Sequence, residues 1–386
     1  MLGVSALAWG GAAKTLARQT LRDNVALLDD ELLKEINARV AAAGREGFAK
    51  KGGAPLAALE IKGDAYVLET GVHFPTDLNL LWDAGRQCVD LIEKYRDQFG
   101  CDLPGRRKAP DWRRRLKGLE RRTSKAVYGG GAQKEKRVQA AGREYLAAGR
   151  DLSAKVQTSL LGLCDQALEG HDWDGLADFQ GMLDKHLDLV ERRLLQEETI
   201  PAHEKAFSLF EPHTAGIQKG KQRPNVELGH RLLIATCQHQ WVHDDDVPAG
   251  GADVDQSVPV ASRLLGRYGE GAVASLSFDK GFTRAEDRER LSLYGPEVVM
   301  PPRGKKNAAE TARESQKTFM ALRRRHRAVE SEINSLEHRG LNRCWDVGLA
   351  GYRRYVGCGV LSYHLHMIGR ARRARGGRAA AELLAA

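Results

Sequence analysis

Apolar residues near the start of the chain recur mostly three, four or five positions apart, which is close to the period of one face of a helix. Those of this face include Leu21, Val25, Leu28, Leu32 and Ile36. They predict helix over residues 14–45. The KKGGAP run at 50–55 ends it, because glycine and proline interrupt helical structure.

Strand-forming residues follow this break. Leu59, Ile61 and Tyr66–Leu68 predict a first strand, and Phe74–Asp77 (FPTD) predicts a turn that caps the next helix. Short apolar runs between turn signals predict four more strands, at Ala206–Phe210, Val226–Ala235, Val273–Phe278 and Glu297–Met300.

Helical patterns fill most of the remaining chain. Residues 78–198 are almost entirely compatible with helix, apart from breaks at Asp102–Pro110 and Gly129–Gly131, and Leu176–Leu195 is strongly amphipathic. A further long helix is predicted at Ala308–Leu336. The order of strand, helical block, four strands and helix predicts a mixed α/β fold with a helical insertion after the first strand.

The positive charge of the chain is concentrated in one segment. The 386 residues contain 60 Lys and Arg against 51 Asp and Glu, a net charge of +9. Thirteen of these cations and only three acids lie between Arg106 and Arg137, so the rest of the chain is close to neutral. Smaller basic clusters lie at Arg323–Arg327 and Arg370–Arg378. Three such clusters favour contact with a phosphate backbone over three solvated helix faces.

Composition narrows the class of protein further. Aromatic residues make up only 6% of the chain, which argues against stacking on single-stranded bases as the main binding mode. No apolar run approaches the roughly 20 residues of a membrane span, and the six cysteines include no C-x-x-C pair. A soluble protein of a reducing cytoplasm, with no membrane partner, is therefore expected.

Three acids lie where strand and helix ends could bring them together. Asp64 interrupts the first predicted strand, Asp279 ends the run VASLSF, and Glu330 lies on the long predicted helix beside Val329 and Ile333. Phosphodiester chemistry commonly uses two divalent ions held by such carboxylates. Taken singly, each has a plainer interpretation: a turn residue, the start of a loop and a surface acid.

A second acidic stretch, HDDDVPAGGADVDQ, contains Asp244–Asp246 and Asp253–Asp255. It could bind a cation together with His239 and His243. Its glycines and proline favour an ordinary loop, with both imidazoles in solvent.

Several of these segments resemble the DDE transposases of bacterial insertion sequences. GDAYVLETGVHFPTDLNLL is similar to their first-aspartate region, SLSFDKGF to their second-aspartate motif, and VESEINSLEHRGLNRCWDVGLAGYRRYVGCG to their glutamate helix and C-terminal signature. FSLFEPHTAGIQKGKQRPNVELGHRLLIA resembles their next two strands, with the turn Lys219–Lys221. The resemblance runs in order over residues 14–369 and is greatest to the ISNCY-type group.

This resemblance implies a fold, an activity and a set of metal ligands. The fold would be α/β, an RNase H-like mixed sheet with a helical insertion after the first strand. Asp64, Asp279 and Glu330 would be catalytic and would hold two Mg²⁺ or Mn²⁺ ions. Water would first cleave the ends of the element, and the freed 3′-hydroxyl would then attack target DNA. The partner would be double-stranded DNA, bound by a homodimer or larger assembly in the bacterial cytoplasm.

The implied organisation has four parts. Residues 1–55 would be a helical region, 56–80 and 200–369 the catalytic domain, 81–199 the basic insertion and 370–386 a basic, Ala-rich tail. The expected contacts to DNA are Arg113, Arg114, Arg115, Lys117, Arg121, Arg122, Lys219, Lys221, Arg303 and Lys305.

The sequence also departs from the family pattern. Ala65–Tyr66 follows the first Asp in place of Thr-Thr, and Arg323, His326 and Glu337 stand where related groups have Tyr, Arg and Lys. Only about sixty residues precede Asp64, so the expected end-recognition domain is shortened or absent. The alternatives are therefore an inactive DNA-binding remnant of a transposase and, third, a generic nuclease.

Overall fold

The computed structural model describes residues 17–48, 57–99, 109–165, 174–218, 226–269 and 271–385, which form an α/β protein with one mixed sheet. The chain divides into two units: Met1–Gly71 with Ala215–Ala386, and Val72–Thr214. The sheet belongs to the first unit, and the predicted insertion, 81–199, falls within the second.

The described part of the sheet has seven strands. They are β1 (Leu59–Thr70), β2 (Ala215–Gln218), β3 (Val226–Thr236), β4 (Val242–Asp246), β5 (Val273–Phe278), β6 (Glu297–Val299) and β7 (Arg343–Cys344). The order is β2-β3-β1-β5-β6, with β4 also beside β3 and β7 beside β1. β1 is central: it pairs antiparallel with β3 and parallel with β5, and β5 pairs parallel with β6.

The helices in the described residues are α1 (Arg18–Ala26), α2 (Asp30–Phe48), α3 (Asp77–Phe99), α4 (Ala109–Tyr128), α5 (Lys134–Asp165), α6 (Asp174–Leu195), α7 (Ser257–Tyr268), α8 (Ala285–Ser292), α9 (Ala308–Glu314), α10 (Lys317–His326), α11 (Ala328–Leu336) and α12 (Gly348–Ala385). In the part of the chain that the structure describes, no helix is long and apolar enough to cross a membrane.

Strand alternation divides the core of the first unit between the two faces of the sheet. On β3, Leu233 and Ala235 pack into one cluster while Leu232 and Ile234 pack into the other. β1 alternates in the same way, since successive side chains of a strand point to opposite faces. Residues of α2 and α7 belong to the first cluster, and residues of α11 and α12 belong to the second.

The second unit has a core of its own, formed by α3, α4, α5 and α6. Its largest fully buried side chain, Tyr145, donates a hydrogen bond to the Leu78 carbonyl at 3.0 Å. The predicted cap before α3 is confirmed, because Thr76 Oγ1 accepts from the Asn79 amide at 3.1 Å. The predicted glycine break also lies between α4 and α5.

Three predicted elements are wrong. The predicted single helix over residues 14–45 is two helices, α1 and α2, which residues 27–29 separate. Ala206–Phe210 is not a strand: the Ser208 hydroxyl accepts from the amides of Phe210 and Glu211, which closes a turn, and Leu209 packs into the helical core. The predicted long helix at Ala308–Leu336 is three helices, α9, α10 and α11. The first break falls at Gln316, whose ψ of 137° is extended.

Candidate active site

The register of the sheet places Asp64 and Asp279 side by side. β1 and β5 run parallel, and Gly63 is paired with Phe278. Asp64 follows Gly63 within β1, and Asp279 follows Phe278, the last residue of β5. Neighbouring strands lie about 4.8 Å apart, so the two backbones hold these acids next to each other.

A glycine is required immediately before Asp64. A Cβ on Gly63 would lie 2.4 Å from Cε1 of the buried Phe278 ring. The absence of a side chain therefore lets the Phe278 ring pack directly against β1 beside the acids.

Glu330 joins the two aspartates from α11. All three carboxylates line one cleft of about 200 Å³. The other residues of the cleft are Phe278, Val299, Pro301, Arg323, His326, Arg327 and Val329. Glu330 is exposed while its neighbour Val329 is buried, so the helix turns its apolar side to the sheet and leaves this acid at the opening.

The charges of the acids act on one another. The pKa of Asp64 is raised to about 6, first by burial and then by the negative charges of Asp279, Asp253 and Glu330, against a hydrogen bond from the Ala65 amide that lowers it. Such a carboxyl resists ionisation, and a bound cation would relieve the repulsion.

The donor chemistry of this cleft fits Mg²⁺ or Mn²⁺, which prefer carboxylate oxygens. In the described ranges, however, no three His, Cys, Asp or Glu side chains stand close enough together to form a finished metal site. A shared ion would therefore draw these carboxylates closer than they lie.

A buried ion pair that the sequence pattern did not predict joins β1 to α11. Lys62 Nζ lies 2.5 Å from Glu332 Oε1, and these residues are only 5% and 3% exposed. The Thr236 hydroxyl donates to the other oxygen of Glu332. Lys62 is two residues from Asp64, and Glu332 is two residues from Glu330. The pair therefore fixes the strand of one candidate ligand against the helix of another.

Cationic and imidazole groups line the same cleft. Arg323 pairs with Glu314 at 2.9 Å, and His326 Nδ1 hydrogen-bonds with the Ser277 hydroxyl at 2.8 Å. Burial lowers the pKa of His326 despite the opposing effect of Asp279. Arg327 is exposed at the cleft.

The predicted DNA contacts near the cleft differ in their surroundings. Arg303 Nε donates to the Lys280 carbonyl at 3.0 Å and the same guanidinium donates to Gly281, so this side chain braces the turn after Asp279. Lys305 is exposed. Lys219 and Lys221 lie outside the described residues.

The predicted cations of α4 also fall into two groups. Arg113 bonds to Asp90 at 2.7 Å and to Glu93, both on α3. Lys117 pairs with the buried Glu120 at 3.0 Å. The charges of Arg113 and Lys117 are therefore paired with acids of the helical unit. The other predicted cations of α4 are exposed: Arg114, Arg115, Arg121 and Arg122.

The acidic stretch at 244–255 is not one loop. Asp244–Asp246 lie in β4, where Asp244 accepts from Arg263 at 2.7 Å and Asp246 lies 3.4 Å from Lys34. The prediction that His243 is solvated is wrong, because this residue is 2% exposed and burial lowers its pKa to about 3.

In the second half of that stretch, Asp253–Asp255, one negative charge acts on an acid of the cleft. Asp255 pairs with Arg284 at 3.0 Å, and Asp253 pairs with Arg231 at 3.3 Å while also raising the pKa of Asp64. Asp253 is therefore a fourth acid near the cleft.

No family model, curated protein or solved structure matches the chain.

Replacing Asp64 with Asn is expected to stabilise the metal-free protein at pH 8 by on the order of 2 kcal/mol. The folded pKa is about 6 and the unfolded value is 3.8, and each unit corresponds to 1.36 kcal/mol before the partial solvation of the site is considered. A raised folded pKa favours folding at low pH, and this contribution is lost as the pH rises through 6. The gain of the variant should therefore nearly vanish at pH 4. Urea unfolding of both proteins at the two pH values measures it, and a gain independent of pH would contradict the expectation.

Proposed function

We propose that this protein is a DNA transposase of the DDE type, which cleaves DNA and transfers the cut strand with the help of divalent ions. One observation carries the proposal: adjacent parallel strands place Asp64 beside Asp279, and Glu330 lines the same cleft. These are the three acids that the resemblance to transposases selects, although 215 residues separate the first two.

The sheet supports the finer assignment of an RNase H-like catalytic domain. Its first strand is central, with antiparallel strands on one side and parallel strands on the other. This is the arrangement expected of such a domain. The helical unit follows β1 directly in the chain, as an insertion would.

In this proposal the carboxylates of Asp64, Asp279 and Glu330 would hold Mg²⁺ or Mn²⁺. Such ions, when bound, would supply activation of the attacking oxygen and stabilisation of the leaving oxygen of the phosphodiester. Arg323 and Arg327 place positive charge at the same cleft, where a phosphate would lie. The Lys62–Glu332 pair holds α11, and with it Glu330, against β1.

The test is a cleavage and joining assay with the purified protein and DNA that carries the ends of its own element. Mg²⁺ or Mn²⁺ should give nicks at the ends and then joined strands, and EDTA should abolish both. Hydrolysis without joined products would instead support a generic nuclease.

The alternative is a DNA-binding remnant without catalytic activity. It draws on the finding that, over the ranges described, no three potential ligands form a finished metal site. This alternative predicts salt-sensitive DNA binding with no cleavage at any concentration of either metal.

A further inference from the structure

A cationic groove runs between α4 and α5 in the helical unit. Its volume is about 630 Å³. The groove is lined by Asp111, Arg114, Arg115, Gly118, Leu119, Arg122, Glu144 and Ala147. Over its whole length α4 contains seven Lys and Arg against two acids, and five of these cations are exposed: Arg114, Arg115, Arg121, Arg122 and Lys125.

The arginines of the groove can exchange their partners at little cost. Arg122 pairs with Glu144 at 2.5 Å, but both side chains are more than half exposed. Arg114 lies 3.4 Å from Asp111, and both of these are exposed as well. Exposed ion pairs contribute little stability, so a phosphate could replace either carboxylate.

Arg115 and a cation from α5 lie over the same aromatic ring. Arg115 is 5.3 Å from the centre of the Trp112 ring, and Lys155 is 4.8 Å from it. Lys155 also pairs with Asp151. The Trp112 ring therefore has two cations within 5.3 Å of its centre, one from each helix of the groove.

Gly118 leaves the middle of the groove open. Glycine is the least favourable residue inside a helix apart from proline, so packing usually accounts for it there. No atom lies within 4 Å of a Cβ built at this position, and packing gives no reason for a glycine. Its effect is to leave free space between Arg114, Arg115 and Arg122.

We infer that this groove binds the phosphate backbone of duplex DNA. Arg115 and Arg122 are seven residues apart on one face of α4, about 10.5 Å along the helix, so the two guanidinium groups can contact different phosphates of one strand. The inference rests on the proposed function for the choice of DNA as partner. It assigns the contact to Arg114, Arg115 and Arg122 and excludes Arg113 and Lys117, whose charges are used within the unit.

The first test compares two double variants that remove the same charge. Arg115→Ala/Arg122→Ala alters the groove, whereas Arg143→Ala/Arg150→Ala removes two exposed arginines from α5 that do not line it. Binding of a 30-base-pair duplex of arbitrary sequence is measured in EDTA by fluorescence anisotropy over a range of salt concentrations. The groove variant should bind at least tenfold more weakly at 0.15 M salt, with a salt slope reduced by about 2, and the control should stay within twofold of wild type. Equal losses in both variants would overturn the inference.

The second test separates charge from folding. Gly118→Glu adds a carboxylate that can pair with the arginines three and four residues away, whereas Gly118→Gln adds a neutral side chain of the same size. Neither should lower the melting temperature, because the site is open. The Glu variant should bind DNA at least fivefold more weakly than the Gln variant, and equal affinities would overturn the inference.

The inference and the proposed function can fail separately. If the wild type cleaves DNA with Mg²⁺ and the groove variants bind DNA normally, the inference is wrong and the proposed function stands. If the groove variants lose DNA binding but the wild type never cleaves, the proposed activity is wrong and the inference stands.

Discussion

Replacement of Asp279 by Asn is expected to reduce Mg²⁺-dependent DNA cleavage by roughly 10³-fold, equivalent to about 4 kcal/mol of transition-state stabilisation. The substitution keeps the size of the side chain and removes the charge that would hold an ion beside Asp64. DNA binding in EDTA should stay within about twofold of wild type. Quantifying nicked product under single-turnover conditions measures the effect.

A matched pair of glutamates provides the control for this result. Glu330→Gln removes the acid of α11 from the cleft and should cause a loss of similar size. Glu289→Gln removes an exposed acid of α8 that does not line the cleft and should leave cleavage unchanged. If Asp279→Asn and Glu289→Gln cleaved DNA equally well, the proposed active site would be wrong.

A further measurement connects the site to stability. At neutral pH Asp64 is largely ionised although its surroundings raise its pKa to about 6, so its charge is unfavourable in the folded protein. The proposed function therefore predicts that Mg²⁺ stabilises the wild type against unfolding and stabilises Asp64→Asn much less, because a ligand that binds only the folded state adds to its stability.

Much of the sheet could be predicted from the sequence because its central strands are long or bounded by clear turn signals. Val226–Ala235, Val273–Phe278 and Glu297–Met300 were predicted and correspond to β3, β5 and β6. β7 is only two residues long and exists through its pairing with Glu69 and Thr70. A pairing across more than 270 residues leaves no local signal, so this strand was not predicted.

β4 was missed for a different reason. Three consecutive aspartates are unfavourable in a strand by intrinsic preference, and the sequence around them favours a loop. Tertiary partners reverse this preference, since Arg263 and Lys34 neutralise Asp244 and Asp246 on the edge of the sheet.

The sequence also predicted which acids line the cleft but not what holds them in place. The signals for the Lys62–Glu332 pair are weak: a lysine inside an apolar strand and a glutamate next to Ile333 on the buried side of a helix. Neither shows that the two residues, 270 positions apart, are partners. In the same way, a count of charges in Arg106–Arg137 cannot show which cations are free to bind DNA. Arg113 is paired with two acids of α3, whereas Arg122 is exposed.

Replacement of Glu332 by Gln is expected to lower the free energy of unfolding by about 3–5 kcal/mol, because it leaves the ammonium of Lys62 buried without a counter-ion. Guanidinium chloride unfolding measures the loss. Glu60→Ala is the matched control. This variant also breaks an ion pair between β1 and a helix, since Glu60 pairs with Arg325 of α10. That pair is partly exposed and should contribute less than about 1 kcal/mol.

A compensating double variant distinguishes the buried charge from the loss of a contact. Lys62→Met/Glu332→Leu removes both charges and fills the space with apolar atoms, so it should be considerably more stable than Glu332→Gln. If the double variant were as unstable as the single one, loss of the hydrogen bond from Thr236, whose acceptor Glu332→Leu removes, would cost as much as the unpaired charge of Lys62. In either case α11 is the element that brings Glu330 to the cleft. A folded Lys62→Met/Glu332→Leu protein that cleaves poorly would therefore show that the pair positions Glu330 in addition to stabilising the fold.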